Sequence, residues 1–466
     1  MEPRFAVVGH PNKGKSSIVA TLARDDRVRI APDPGTTRAA NAYPMQLDGR
    51  TLYTLIDTPG FQRARRVLAW LKTQADTAAE RPAAVRAFVE TPAHAERYPD
   101  EVALLGPIVG VDPVTREPTA PAGVLYVVDG SRPYGPEYEP EMEVLRWTGQ
   151  PGMALINPIH SEAHVDEWRD ALGQFFGTVR VFDAVDAEWA KRLELLRAFG
   201  SLKEGWSAPL TEAAAALEAD RDERRAAADR RIAEMVVAAM RLQVTRKLPP
   251  GGDADAVKDE LNADYREAIR KLEVSCRDAV EAIYGFVEVV RDDAELNLAQ
   301  GVGGDLFNAG TWMRFGLTRG DLVKAGALAG AAAGGWFDVA TGLGSFGMGA
   351  LAGGVIGGAT AYFGTDRLTK VRVLSQSVGG VLAACGPARD VNLAYVLLGR
   401  ARLHHDVIAR RTHARRDALT AADLDAASIE WTKAERDAVA KALRPVMKDR
   451  EDDAAAAEAV RKIAAL

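Results

Sequence analysis

The chain has 466 residues, too many for a single hydrophobic core, so two or three domains are expected. A formal net charge of −6 gives no reason to expect DNA, and 47% apolar against 27% charged residues is the balance of a folded protein, not a disordered one. The two cysteines, Cys276 and Cys385, lie far apart, which argues against a disulfide framework or a zinc site and fits a reducing compartment. The opening MEPRFAVVGH lacks the charged-then-apolar build of a secretory signal, so a cytoplasmic chain is expected.

From the amino terminus to about residue 184, short β-type runs alternate with helical stretches: RFAVV, YPMQL, TLYTLID, GVLYVVD, MALIN and VRVFD. This is the pattern of a mostly parallel α/β layer. Only Asp48-Gly49-Arg50 separates YPMQL from TLYTLID, a hairpin signal that makes one strand pair antiparallel. Between Phe61 and Gly123 lies a segment of Pro- and Ala-rich helical pieces, read as an insertion (about 61–122) after the third strand.

The first strand runs into Gly9-His10-Pro11-Asn12-Lys13-Gly14-Lys15-Ser16, which fits G-x-x-x-x-G-K-[ST] and leads into a helical SSIVATLARDD. A triphosphate is a dense anion, best held by backbone N–H groups converging at a helix N-terminus. Lys15 would reach the β and γ phosphates, and the Ser16 hydroxyl would ligate Mg²⁺. The third strand ends in Asp57-Thr58-Pro59-Gly60, where Asp57 can hold the metal shell and Gly60 offers an N–H to the γ-phosphate. Between the two motifs, Asp33-Pro34-Gly35-Thr36-Thr37-Arg38 is a polar loop with threonines able to reach the metal. Lys15, Thr37 and Gly60 are therefore the candidate catalytic residues.

These three pieces resemble the Era/TrmE branch of translation-factor-related GTPases: GHPNKGKSS its phosphate loop, PGTTR its first switch, DTPG its second. The resemblance implies GTP and GDP as ligands, a molecular-switch GTPase domain over 1–184, and a metal site of Ser16, Thr37 and Asp57. It makes Asn12, Lys13, Gly14, Lys15, Ser16 and Ser17 the phosphate-side residues, and implies a potassium ion near Asn12. Phe61 stands where Ras-like proteins place a water-orienting glutamine, a role that an apolar side chain cannot fill. On the base side the family's N-K-x-D is here Asn157-Pro158-Ile159-His160, with Asp183 and Ala184 near the position of the loop that touches the base oxygen. A neutral imidazole offers one acceptor where a carboxylate offers two, so weakened guanine selectivity is expected.

Beyond Asp183 the strand signal fades and an all-α domain over 185–466 is expected, with Pro209 to Leu248 free of internal Gly or Pro. PPGGD at 249–253 stops that run, and an apolar stripe from Val257 to Val290 then marks a long helix seeking a partner. Residues 322–364 carry Gly326, Gly330 and Gly334, then Gly349, Gly353 and Gly357, at four-residue spacing. That small-xxx-small device suggests a hairpin in the inner membrane, in contact with lipid or a membrane protein, or an oligomer seam shared with the long helices. The Arg/His run from Arg400 to Arg416 reads as a solvated helix face, with RNA or anionic lipid as the secondary reading. Two alternatives stand beside the switch: a ribosome-assembly or RNA-binding GTPase, and a nucleotide-binding scaffold with relaxed base choice and little turnover.

Overall fold

A computed structural model describes residues 2–24, 39–248, 255–286, 372–377, 380–415 and 431–466. Two compact units are distinguished, Met1–Asp222 with Arg410–Arg416, and Glu223–Ala409 with Asp417–Leu466. Thr37 and the rest of the Asp33–Arg38 loop, the PPGGD stop and the glycine-rich 322–364 segment lie outside the described residues. Among the described residues no helix is long and apolar enough to cross a membrane.

In the first unit the strands β1 (Arg4–Val8), β2 (Asn41–Leu47), β3 (Arg50–Asp57), β4 (Gly123–Asp129), β5 (Gly152–Asn157) and β6 (Val179–Val181) form one sheet in the order β2-β3-β1-β4-β5-β6. β2 is antiparallel to β3 and the other pairs are parallel, as the Asp48-Gly49 turn predicts. The central strands read as unbroken apolar runs because both faces are covered. Ala6, Val8, Val124, Tyr126 and Val128 point into one apolar layer; Phe5, Val7, Leu125 and Val127 point into the other.

The first layer is closed by α2 (Ala64–Leu71), α3 (Arg81–Glu90), α5 (Pro99–Val109), α6 (Glu139–Trp147) and α7 (Val165–Leu172). Short α4 (Pro92–Arg97) joins α3 to α5, so four helices fill the stretch between β3 and β4. The second layer holds α1 (Lys15–Ala23), α8 (Trp189–Gly200) and the start of α9 (Ser207–Arg241), with Leu210, Ala213, Ala214 and Leu217 buried against the sheet.

In the second unit, α10 (Lys258–Ile283) buries the expected stripe of Leu261, Ile269, Cys276 and Val280. It packs with α11 (Asn392–Arg410), α12 (Lys433–Lys448) and α13 (Asp453–Ala464) around one apolar cluster. The helical expectation needs one addition. α9 stops at Arg241, and β7 (Val244–Leu248), β8 (Arg372–Ser377) and β9 (Gly380–Cys385) form a three-stranded antiparallel sheet in the order β7-β9-β8. VTRKL alternates in burial with period two, but five residues with two charges are too short and polar to stand out from the helical text before them.

The Arg/His run is a correction. Arg400, His404, His405 and His413 are all buried, and the first three meet carboxylates of α10 or the phenol of Tyr284 just after it. Arg400 Nε donates to Glu273 (2.5 Å), which also accepts from Arg277 (2.9 Å). His404 lies 2.9 Å from Glu281 and His405 2.8 Å from the Tyr284 hydroxyl. Burial alone would raise the Glu273 carboxyl, but Arg277 and Arg400 outweigh it and hold the group at about 2. Because that folded value lies below the ordinary 4.5, the carboxylate's contribution is complete above pH 4.5 and is lost as pH falls toward 2. Glu273→Ala should cost about 3–5 kcal/mol in chemical denaturation at pH 7, with the gap to wild type narrowing through that acid window. A gap under about 1 kcal/mol at pH 7 would mark the pair as energetically passive.

Candidate functional site

The site grows from the carboxyl ends of β1, β3, β4 and β5, where parallel strands leave a crevice that loops can fill. Between Val8 and Lys15 the chain takes positive φ at Gly9 (142°), Asn12 (59°) and Gly14 (80°). Three such residues in six positions curl the backbone at the start of α1, and curls of this kind are where backbone N–H groups can gather around an anion. Gly14 has no alternative: a Cβ there would stand 2.2 Å from Asn157 Nδ2.

Lys15 is 7% exposed and its ammonium donates to the His10 carbonyl oxygen (3.0 Å). Burial brings it down to about 8, although the Asp57 carboxylate pulls the other way. Ser16 Oγ donates to Asp57 Oδ2 at 2.8 Å, so the two oxygens proposed for the metal lie side by side. A hydroxyl and a carboxylate are hard oxygen donors, the set that suits Mg²⁺. Ser17 is half-buried one residue on.

Lys13 is buried too, its ammonium 3.9 Å from Asp129 Oδ2 at the end of β4 and 5.7 Å from the Tyr138 ring centroid. Burial lowers its pKa against the attraction of Asp129. His10 Nδ1 lies 2.9 Å from Glu141 Oε1, and the other oxygen of that buried carboxylate accepts from the Tyr126 hydroxyl (2.9 Å). Asn12 is exposed at the crest of the loop.

The second motif leaves β3 beside this loop. The Thr58 hydroxyl donates to the Val7 carbonyl (2.8 Å), and Phe61 N–H donates to the Gly9 carbonyl (3.3 Å). Gly60 lies so close to Pro11 that a Cβ would stand 2.6 Å from its nitrogen. The Phe61 side chain is 1% exposed and turned into the apolar layer with Val67 and Leu71. It is withdrawn from the site altogether, while Gln62 is exposed.

On the base side, Asn157 Nδ2 donates to the Lys13 carbonyl (3.4 Å) and its Oδ1 accepts from Ala184 N–H (3.3 Å). Ala184 also accepts from the Thr21 hydroxyl (2.6 Å), so Asn157 and Ala184 tie the phosphate loop, α1 and the loop after β6 together. Asp183 Oδ1 accepts the N–H groups of Val185 (2.8 Å) and Asp186 (3.1 Å), shaping its own turn. His160 is exposed.

Sequence reasoning missed Asp129, Glu141 and the buried Glu101, whose Oε1 accepts the backbone N–H groups of Gln62 and Arg63 just beyond Gly60. One signal was available: GVLYVVD, like TLYTLID, ends a buried strand in aspartate next to the phosphate loop. The two glutamates sit on helices whose placement no motif marks.

Residues 169–465 match the family described as Domain of unknown function (DUF3482), and the chain belongs to that family. Residues 4–105 match the family described as 50S ribosome-binding GTPase, and the amino-terminal part is a P-loop GTPase domain. GTPase Der of Aromatoleum aromaticum is 52% identical over 65 residues, and GTPase Der of Mycoplasma pneumoniae 42% identical over 66. Each match covers 14% of this chain and 14% of the relative, so the chain spans about a seventh of their length. Among solved structures, Aquifex aeolicus Era bound to GDP and AlF₄⁻ aligns over 61% of this chain and 90% of its own, at 16% identity and a TM-score of 0.29. Era in complex with MgGDPNP and part of 16S ribosomal RNA aligns over 61% and 89%, at 17% identity and a TM-score of 0.27.

Gly14→Ala should push Asn157 aside and strain the loop, weakening fluorescent-GTP binding by on the order of 100-fold. Binding within about twofold of wild type would show that the loop does not hold the phosphates.

Proposed function

We propose that the chain binds GTP with Mg²⁺ and hydrolyses it to GDP and phosphate, as a slow molecular switch of the Era/TrmE kind whose readout lies in residues 185–466. The observation that carries this reading is the buried Lys15 ammonium above a curled loop, with Ser16 and Asp57 paired beside it. Burying an ammonium among backbone carbonyls is costly, and a triphosphate supplies the anion that repays it.

Ser16 and Thr37 would hold the metal directly, and Asp57 would hold its shell. When bound, Mg²⁺ draws negative charge off the β and γ phosphoryl oxygens. Lys15 neutralises the same oxygens from the loop side, and the Gly60 N–H faces the γ-phosphoryl group. A water molecule attacks the γ-phosphorus in line; its oxygen forms the new P–O bond as the bond to the bridging oxygen breaks, and that electron pair leaves with GDP. The water's proton passes to phosphate. Phe61 contributes nothing to that step, since its side chain is buried in the apolar layer. A potassium ion at Asn12 is the proposed substitute for the missing water-orienting group.

Guanine choice is the weak part of this site. Asn157 spends its amide on protein backbone, Asp183 caps its own turn, and His160 replaces the carboxylate that would grip the guanine edge. The missing charge-assisted pair is worth about 1.5–3 kcal/mol, so GTP should still outcompete ATP, by a reduced margin. Restoring the motif with Pro158→Lys and His160→Asp should widen the GTP-to-ATP affinity ratio by about tenfold to a hundredfold. Lys15→Ala should abolish single-turnover phosphate release from GTP. ATP bound as tightly as GTP by wild type would sink the guanine reading; phosphate release unchanged in Lys15→Ala would sink the catalytic one; no turnover at all would favour a nucleotide-binding scaffold.

A further inference from the structure

The chain just beyond Gly60 is gripped by a side chain from the helical stretch between β3 and β4. Glu101, in the first turn of α5, is 1% exposed. Its Oε1 accepts the backbone N–H of both Gln62 (3.0 Å) and Arg63 (2.5 Å). Arg63 is the N-cap of α2 and makes no side-chain cap of its own, because a guanidinium has no acceptor. The acceptor for the N-cap N–H, which a Glu at the third helical position would supply in a capping box, comes instead from 38 residues downstream, because Arg66 stands at that position. Arg63 Nη1 also donates to the Arg97 carbonyl (2.5 Å), a tie from the start of α2 to the end of α4, just before α5. Glu101 thus lies at the amino end of α2 and in the first turn of its own α5, positions that favour a carboxyl group.

The stretch between these ties and the phosphate loop is short. Thr58 is bonded to β1, Gly60 rests on Pro11, and Phe61 N–H reaches Gly9. A switch that released this strand end would either break both bonds to Glu101 or stop moving at Phe61. Breaking them strands a buried carboxylate, which is the more costly course.

We infer that Glu101 is a positioning residue for the hydrolysis: it anchors the start of α2, confines nucleotide-dependent movement to Thr58–Phe61, and so keeps the Gly60 N–H aimed at the γ-phosphate. The inference rests on the GTPase reading above. Binding of GDP depends on the phosphate loop and Lys15, so the loss of Glu101 should be felt at the γ-phosphate step and little in affinity.

The test compares full-length wild type, Glu101→Ala and Glu101→Gln in fluorescent-GDP binding and in single-turnover GTP hydrolysis. Glu101→Ala should slow hydrolysis about tenfold or more with GDP affinity within about threefold. Glu101→Gln, which keeps a carbonyl acceptor, should recover the rate to within about threefold of wild type. Equal losses of rate and GDP affinity, or a glutamine variant no better than alanine, would overturn the inference. Hydrogen exchange on wild type supplies a readout that needs no variant: the Gln62 and Arg63 amides should be equally protected with GDP and with a non-hydrolysable GTP analogue. Protection that differs between the two nucleotides would overturn the anchoring role. Absence of GTP turnover in wild type would overturn the GTPase reading and this inference together, whereas turnover unaffected by Glu101→Ala would overturn this inference alone.

Discussion

A buried ammonium sets the terms for the whole amino-terminal site. Lys15 has its own helix below it, the His10 carbonyl against it and Asp57 nearby, and burial brings it down to about 8. Such a group is tolerable in a folded protein when a dense anion completes its shell. The curl of the loop, the tight seat of Gly14 under Asn157 and the adjacency of Ser16 to Asp57 all serve that one requirement. The sheet serves it as well, because four strand ends must converge for these groups to meet.

Around that core the site divides into a strong half and a weak half. On the phosphate side, side chains are paired and held from more than one element, with half-exposed His10 on buried Glu141 and buried Lys13 beside Asp129. On the base side, the polar groups are spent on the protein itself: Asn157 braces two loops and Asp183 shapes a turn. On the proposed reading, the molecule recognises a polyphosphate first and a base second. On that reading its selectivity comes mainly from the triphosphate tail and its metal, and its switch from the short travel left to Thr58–Phe61.

What could be read from the residues follows from how local each signal is. Gly9 through Ser16 fall in one short stretch between a strand and a helix, so their geometry was legible, as was the antiparallel pair across Asp48-Gly49. Glu101 and Glu141 act at a distance from their targets in sequence, 38 and 131 residues away, and on a helix each reads as an ordinary surface glutamate. The basic run from Arg400 misled for the same reason: the carboxylates that bury it sit more than 120 residues earlier, on α10. β7 was hidden because its five residues follow a helix of 35 without a break in composition. Local chemistry is written in neighbouring letters; pairing between distant helices is not.

The central claim is that the loop from Gly9 to Ser16 is a receptor for a polyphosphate tail. Calorimetric titration of the full chain in magnesium buffer tests it most directly, with GTP and GMP as the two titrants. The account predicts saturable one-to-one heat with GTP and none with GMP, which lacks the β and γ groups that Lys15 would meet. No heat with GTP, or equal heat with both, would contradict it.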